Sequence, residues 1–110
     1  MKVEKPWGYE IRWAINDKYL GKLLHINAGE RLSLQYHEQK DETIFVIDGT
    51  AVVQLDGKTY ILSHGESLRI QPGQIHRFCA PKETYVKLIE VSTPEIDDVV
   101  RVEDDYGRSS

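Results

Sequence analysis

Gln35, His37 and Glu42 fall within one short stretch between Gly29 and Gly49, and each carries an atom that can bind a metal ion. Gln35 and His37 are two residues apart, so on a strand both side chains leave the same face. Glu42 follows after a polar break at Lys40-Asp41 and opens the β-branched run Thr43–Ile47. An amide oxygen, an imidazole nitrogen and a carboxylate together form a mixed N/O donor set. Downstream, Gly65-Glu66-Ser67-Leu68-Arg69-Ile70-Gln71-Pro72-Gly73-Gln74-Ile75-His76 brings a second histidine after two glycine turns. The other histidines, His25 and His64, lie outside both stretches and read as surface or turn residues.

The elements needed to position these ligands are short strands. Tyr9–Ile15, Tyr19–Asn27 and Leu32–His37 alternate in type. Ala51–Leu55 and Thr59–Leu62 flank the hairpin turn Asp56-Gly57, and Ser67–Ile70, Ile75–Cys79 and Thr84–Val91 follow. No 3.6-residue period persists over a helix length. Nine or ten such strands with regular turns predict an all-β sandwich or barrel. In the second strand Lys22 shares its face with Leu20, Leu24 and Ile26. Residues 1–9 read as an N-terminal arm anchored by Trp7 and Tyr9. Residues 92–110 read as an acidic segment in which Val99–Val102 suggests a docked strand.

At 110 residues the chain is predicted to be a single domain, 1–110. Its net charge of −4 offers no basic excess for nucleic acid, though a few placed cations suffice for a small phosphorylated ligand. Cys79 is alone, which excludes an intrachain disulfide. With no apolar leader and no spanning segment, the expectation is a cytoplasmic protein with no membrane partner.

The order of these residues resembles the cupin superfamily. Gly29, Gln35, His37, Glu42 and Gly49 fall on its first motif, with Gln35 where the general pattern has His. Gly65, Gly73 and His76 fall on the second; Gln71 takes the proline position, with Pro72 one later, and Ala80 replaces the final Asn. Ser33-Leu34-Gln35-Tyr36-His37, Lys5-Pro6-Trp7-Gly8 and Val100–Arg108 make it similar to the phosphomannose isomerase branch. That branch includes the cupin domain of bifunctional mannose-1-phosphate guanylyltransferase/mannose-6-phosphate isomerases. The likeness runs from Lys5 to Arg108. It departs at Glu38–Asp41, where the bifunctional family has a His/Arg-rich sequence, and no nucleotidyl transfer is expected of these 110 residues.

The resemblance implies a cupin double-stranded β-helix, or jelly-roll barrel, with Gln35, His37, Glu42 and His76 around a divalent metal. Zinc comes first, with Fe, Mn, Ni or Co as alternatives. It implies isomerisation of mannose 6-phosphate to fructose 6-phosphate. Lys22, Lys40 and Arg77 are then expected at the substrate phosphate, and Arg101, Arg108 and Glu30 in catalysis. Arg77 directly follows His76 and so points away from the metal on a strand. Trp7, Tyr9, Trp13 and Tyr36 read as core aromatics, with sugar stacking as the rarer role. The partner is a small sugar phosphate, and the chain is expected to form a homodimer through edge-strand pairing of the N-terminal arm. A non-catalytic sugar-phosphate binder and an Fe-dependent oxygenase are the competing readings.

Overall fold

Runs of alternating residues bounded by Gly, Pro and Asn/Asp turns become eleven strands in the computed structural model, which describes residues 1–108. In chain order they are β1 (Lys2–Lys5), β2 (Gly8–Ile15), β3 (Leu20–Ile26), β4 (Leu34–Tyr36), β5 (Glu42–Asp48), β6 (Ala51–Leu55), β7 (Lys58–Leu62), β8 (Ser67–Ile70), β9 (His76–Cys79), β10 (Val86–Ser92) and β11 (Val100–Glu103). All pair antiparallel. One sheet runs β1-β2-β3-β10-β5-β8 and the other β11-β4-β9-β6-β7. Among the described residues no helix is long and apolar enough to cross a membrane.

The two inner faces supply the core. Ile26, Ile44, Val46 and Leu88 from the first sheet pack with Val53, Leu55 and Phe78 from the second, all buried. The pairing register explains why the core does not fill the whole interior. Glu10 stands opposite Leu24 in one row of the six-stranded sheet. The next row reads Arg12, Lys22, Glu90 and Ile44 across β2, β3, β10 and β5. Cross-strand partners share a face, so a polar patch enters the interior at the β2–β3 end while β5 and β8 stay mostly apolar.

Two terminal segments differ from their simplest sequence reading. The N-terminal arm is a strand: β1 folds back on β2 from Lys2↔Ile11 to Lys5↔Gly8 and forms the edge of the sheet. The acidic segment is docked through much of its described length. β11 pairs with β4. Asp105 takes a bidentate contact from Arg31, at 2.7 and 3.0 Å. Residues 109 and 110 of that segment lie outside the described residues.

Candidate metal centre

His37 ends the β4 stretch, Glu42 begins β5 and His76 begins β9, so both sheets contribute to one point. Their donor atoms all lie within 4.8 Å of one another, and all three residues are buried. His37 Nε2 is 3.4 Å and His76 Nε2 3.2 Å from Glu42 Oε1. The outer nitrogens fix the tautomers. His76 Nδ1 donates to the Gln74 carbonyl at 2.9 Å, and His37 Nδ1 donates to the Asp98 carbonyl. A neutral imidazole protonated at Nδ1 presents a lone pair at Nε2.

Two such lone pairs therefore face a carboxylate, and His37 Nε2, His76 Nε2 and Glu42 Oε1 are buried without a hydrogen bond. Three converging acceptors repel one another unless a cation lies between them. Metal–ligand bonds of about 2.0–2.2 Å at tetrahedral angles leave donors roughly 3.5 Å apart, which matches the observed spacing. The residues fit a divalent metal, and the carbonyl-held imidazoles supply the outer support that such sites use.

Gln35 stands opposite His76 in the β4–β9 ladder and opposite Arg101 in the β4–β11 ladder. Its side chain lines the cavity, and its amide oxygen accepts the Ser33 hydroxyl at 2.7 Å. Lys40, in the expected polar break, is 4% exposed. Its Nζ reaches Glu90 Oε2 at 2.8 Å and Glu42 Oε2 at 3.3 Å. Burial opposes a charged lysine here, but Glu90 and then Glu42 outweigh it and raise the pKa of Lys40. Burial works against a charged Glu42, and Lys40 works for it. Glu90 is pushed up by burial and by its neighbour Glu42.

Asp98 completes the surroundings. Its carboxylate accepts the N–H groups of Glu38 (2.9 Å), Gln39 (2.7 Å) and Lys40 (2.9 Å). Burial works against its charge, but these three bonds prevail and its pKa is lowered. One residue thus orients a histidine and pins the loop that carries Lys40.

Of the cluster, His37 lines a cavity of about 310 Å³. Lys5, Arg12, Lys22, Lys40, Arg101 and Arg108 line it, against Glu10, Glu90, Asp97 and Asp98. Cations outnumber carboxylates there, although the whole chain carries −4.

A family model described as mannose-6-phosphate isomerase C-terminal matches residues 1–104. The chain belongs to that family. Among curated relatives it is similar to the alginate biosynthesis protein AlgA of Pseudomonas aeruginosa, 34% identical over 112 aligned positions that cover 99% of this chain and 23% of that protein. It is also similar to the mannose-1-phosphate guanylyltransferase of Escherichia coli, 39% identical over 110 positions covering 97% of this chain and 23% of the other. The chain therefore spans about a quarter of the length of these relatives, 23% in both cases. Of the solved structures, KdgF from Halomonas sp. superposes with a TM-score of 0.80 at 19% identity, over 88% of each chain. An RmlC-like cupin from Shewanella frigidimarina gives 0.78 at 18%, over 88% of this chain and 86% of that one. These likenesses show the cupin double-stranded β-helix.

Within this mannose-6-phosphate isomerase C-terminal domain, the expected residues separate clearly. His37, Glu42 and His76 come together; Gln35, Lys22, Lys40, Arg101 and Arg108 line the adjoining cavity. Arg77 and Glu30 are not in the lining. Arg77 follows His76 on β9, turns to the opposite face and donates its Nε–H to the Leu32 carbonyl at 3.0 Å. Glu30 precedes β4, with its carbonyl bonded to the Ala80 N–H. Arg108 reaches the lining while held in a bidentate contact with Asp104. Of the four aromatics, only Trp7 lines the cavity. His25 is a strand residue stacked between Tyr9 and Tyr85, and His64 is an exposed turn residue.

The residues missed from sequence are Lys5, Glu10, Arg12, Glu90 and Asp98. Glu90 had a signal. It shares a β10 face with Val86 and Leu88, where alternation calls for an apolar residue, and it mirrors Lys22 on β3.

Proposed function

We propose that this domain is a metal-dependent aldose–ketose isomerase acting on a hexose phosphate, with mannose 6-phosphate as first choice. The observation that carries the reading is the meeting of three unsatisfied acceptors, on His37, Glu42 and His76, beside a cavity in which cations prevail. Family membership supports the substrate class. In this reading His37, Glu42, His76 and Gln35 hold the divalent ion, zinc first. When bound, such an ion polarises the sugar carbonyl and stabilises the negative charge that develops on oxygen.

The chain's own residues do the rest. The Asp98 and Gln74 carbonyls hold the imidazoles in the ligating tautomer. Lys40 bridges Glu42 and Glu90 and offsets the repulsion between them. Glu90, rather than Glu30, is the buried carboxylate that lines the cavity beside the metal cluster, and its oxygen takes the proton that moves between C1 and C2. Arg101 and Arg108 line the cavity as the cations that stabilise the negative charge developing on the sugar oxygen. A cytoplasmic setting belongs to the same reading, supported by the single free Cys79. So does a homodimer. It is supported by β1 at the edge of its sheet and by an outward row of Ile11, Leu23, Ile89 and Phe45 across four strands.

The test is to identify the metal in purified protein and to follow conversion of mannose 6-phosphate to fructose 6-phosphate with and without chelator. Chelator-sensitive turnover is expected. Saturable sugar-phosphate binding without turnover would instead establish the second reading, a non-catalytic binder. That reading is favoured by one feature: Lys40, the cation of the ligand loop, is already engaged by two carboxylates.

A further inference from the structure

The cavity continues past the metal cluster to the β1–β2–β3 end of the six-stranded sheet, where a second set of charges stands. Glu10 on β2 is 4% exposed. Arg12 Nε lies 2.7 Å from its Oε2, Lys22 Nζ 3.4 Å from the same oxygen, and Lys5 Nζ 3.7 Å from its Oε1. All four side chains line the cavity.

One carboxylate neutralises one of these three cations. Glu90, which faces Lys22 across the ladder, is shared with Lys40, so positive charge remains in excess in a concave space where Lys22 is nearly buried and Lys5 and Arg12 are mostly so. The crowding bears on Lys5. Burial lowers its pKa first; Glu10 opposes, and Lys22, Arg12 and Arg108 add to the lowering. Packing like charges together costs stability, and an arriving anion relieves that cost. The other cations of the cavity are differently placed. Lys40 sits between Glu42 and Glu90, and Arg108 is held by Asp104.

We propose that Lys5, Arg12 and Lys22 form a subsite for a phosphomonoester dianion, with Glu10 as the fixed counter-ion that holds the three cations in place between occupants. The identification of that phosphate with the far end of the hexose rests on the isomerase reading above; the subsite itself rests on the charges. A dianion matches this excess of cations, and Arg12 adds a planar fork suited to phosphate oxygens. The register sets its position. Arg12 pairs with Lys22 and Lys22 with Glu90, while β5, which carries Glu42, is the next strand after β10. With neighbouring strands about 4.8 Å apart, Lys22 on β3 starts roughly 10 Å from Glu42 on β5. A sugar held by its phosphate at one end of the cavity therefore extends its reacting carbons toward the other. The register shift between Arg12 and Ala14 interrupts the β2–β3 pairing just after this pair, a feature that re-aims side chains at sites.

The test uses the full chain, freed of metal with chelator so that no ion can bind phosphate directly, and titrated with inorganic phosphate by calorimetry. Saturable binding is expected. Arg12→Gln and Lys22→Met should each weaken it at least tenfold, and Glu10→Gln should tighten it by releasing the competing carboxylate. Circular dichroism checks folding, and Lys5→Gln, the most exposed of the three sites, replaces any variant that unfolds. Absence of saturable binding by folded wild-type protein would overturn the proposal, as would affinity unchanged in the folded cation variants. Weaker or unchanged binding in folded Glu10→Gln would overturn the counter-ion role. Phosphate binding without isomerase turnover would strike the reaction reading and leave the subsite standing; turnover without this binding would do the reverse.

Discussion

Asp98 touches the centre twice, through its carbonyl to His37 and through its carboxylate to three successive N–H groups. Asp98→Ala removes only the second contact. It should cost about 1–2 kcal/mol in urea unfolding, the scale of a lost backbone cap; Asp98→Asn, which keeps one acceptor oxygen, should cost less. Lys40→Met goes further, because it leaves Glu42 and Glu90 buried without the cation they share. A loss of roughly 3–5 kcal/mol is expected from the same measurement on chelated protein. That His37, Glu42 and His76 would meet was legible from their spacing relative to the glycine turns and from the two cupin motifs. Glu10 and Asp98 were not. A carboxylate on a strand or in an acidic segment reads as solvated until the pairing register shows which way it faces. Lys22 was legible for the same reason that Glu90 should have been: a charge occupies an otherwise apolar face.

The alternation of residue types sufficed to locate most strands, with ends shifted by a residue or two. β1 was not seen as a strand because its four residues, Lys-Val-Glu-Lys, are mostly charged, a composition that suits an edge and carries no signal for its partner. Its placement matters, since it brings Lys5 to Glu10. Gly8 makes the close approach of β2 to β3 possible. A Cβ there would lie 1.9 Å from the His25 carbonyl oxygen, backbone against backbone, and its φ is +151°. No side chain can yield to relieve that contact. Gly8→Ala should therefore cost at least about 3 kcal/mol, seen as a lower melting temperature or as loss of soluble protein. Because the displaced strand carries Glu10 and Arg12, any residual folded Gly8→Ala protein should also bind phosphate more weakly.

At the scale of the whole molecule, several carboxylates sit below their ordinary pKa values. Arg108 holds Asp104 down. For Asp98 the three N–H bonds, and for Glu10 the surrounding cations, overcome a burial effect of opposite sign. Unfolded Asp and Glu titrate near about 3.9 and 4.3. The stability these groups contribute is complete above that range and is lost as pH falls through their lower folded values. Unfolding free energy should thus be level in this respect near neutrality and drop below about pH 4, which a series of urea titrations would show. The cupin fold was legible from turns and motifs, whereas the excess of cations inside a net acidic chain was not, because it depends on which face of each strand closes over the cavity. One more consequence follows from the contact between His37 Nδ1 and the Asp98 carbonyl. A metal on Nε2 withdraws electrons from the ring, makes Nδ1–H a stronger donor and tightens its hold on the segment that leads into β11. Ion uptake and adhesion of the C-terminal stretch are then thermodynamically linked, each reinforcing the other. Protease cleavage within residues 93–108 should then slow when Zn²⁺ is added and quicken when it is stripped.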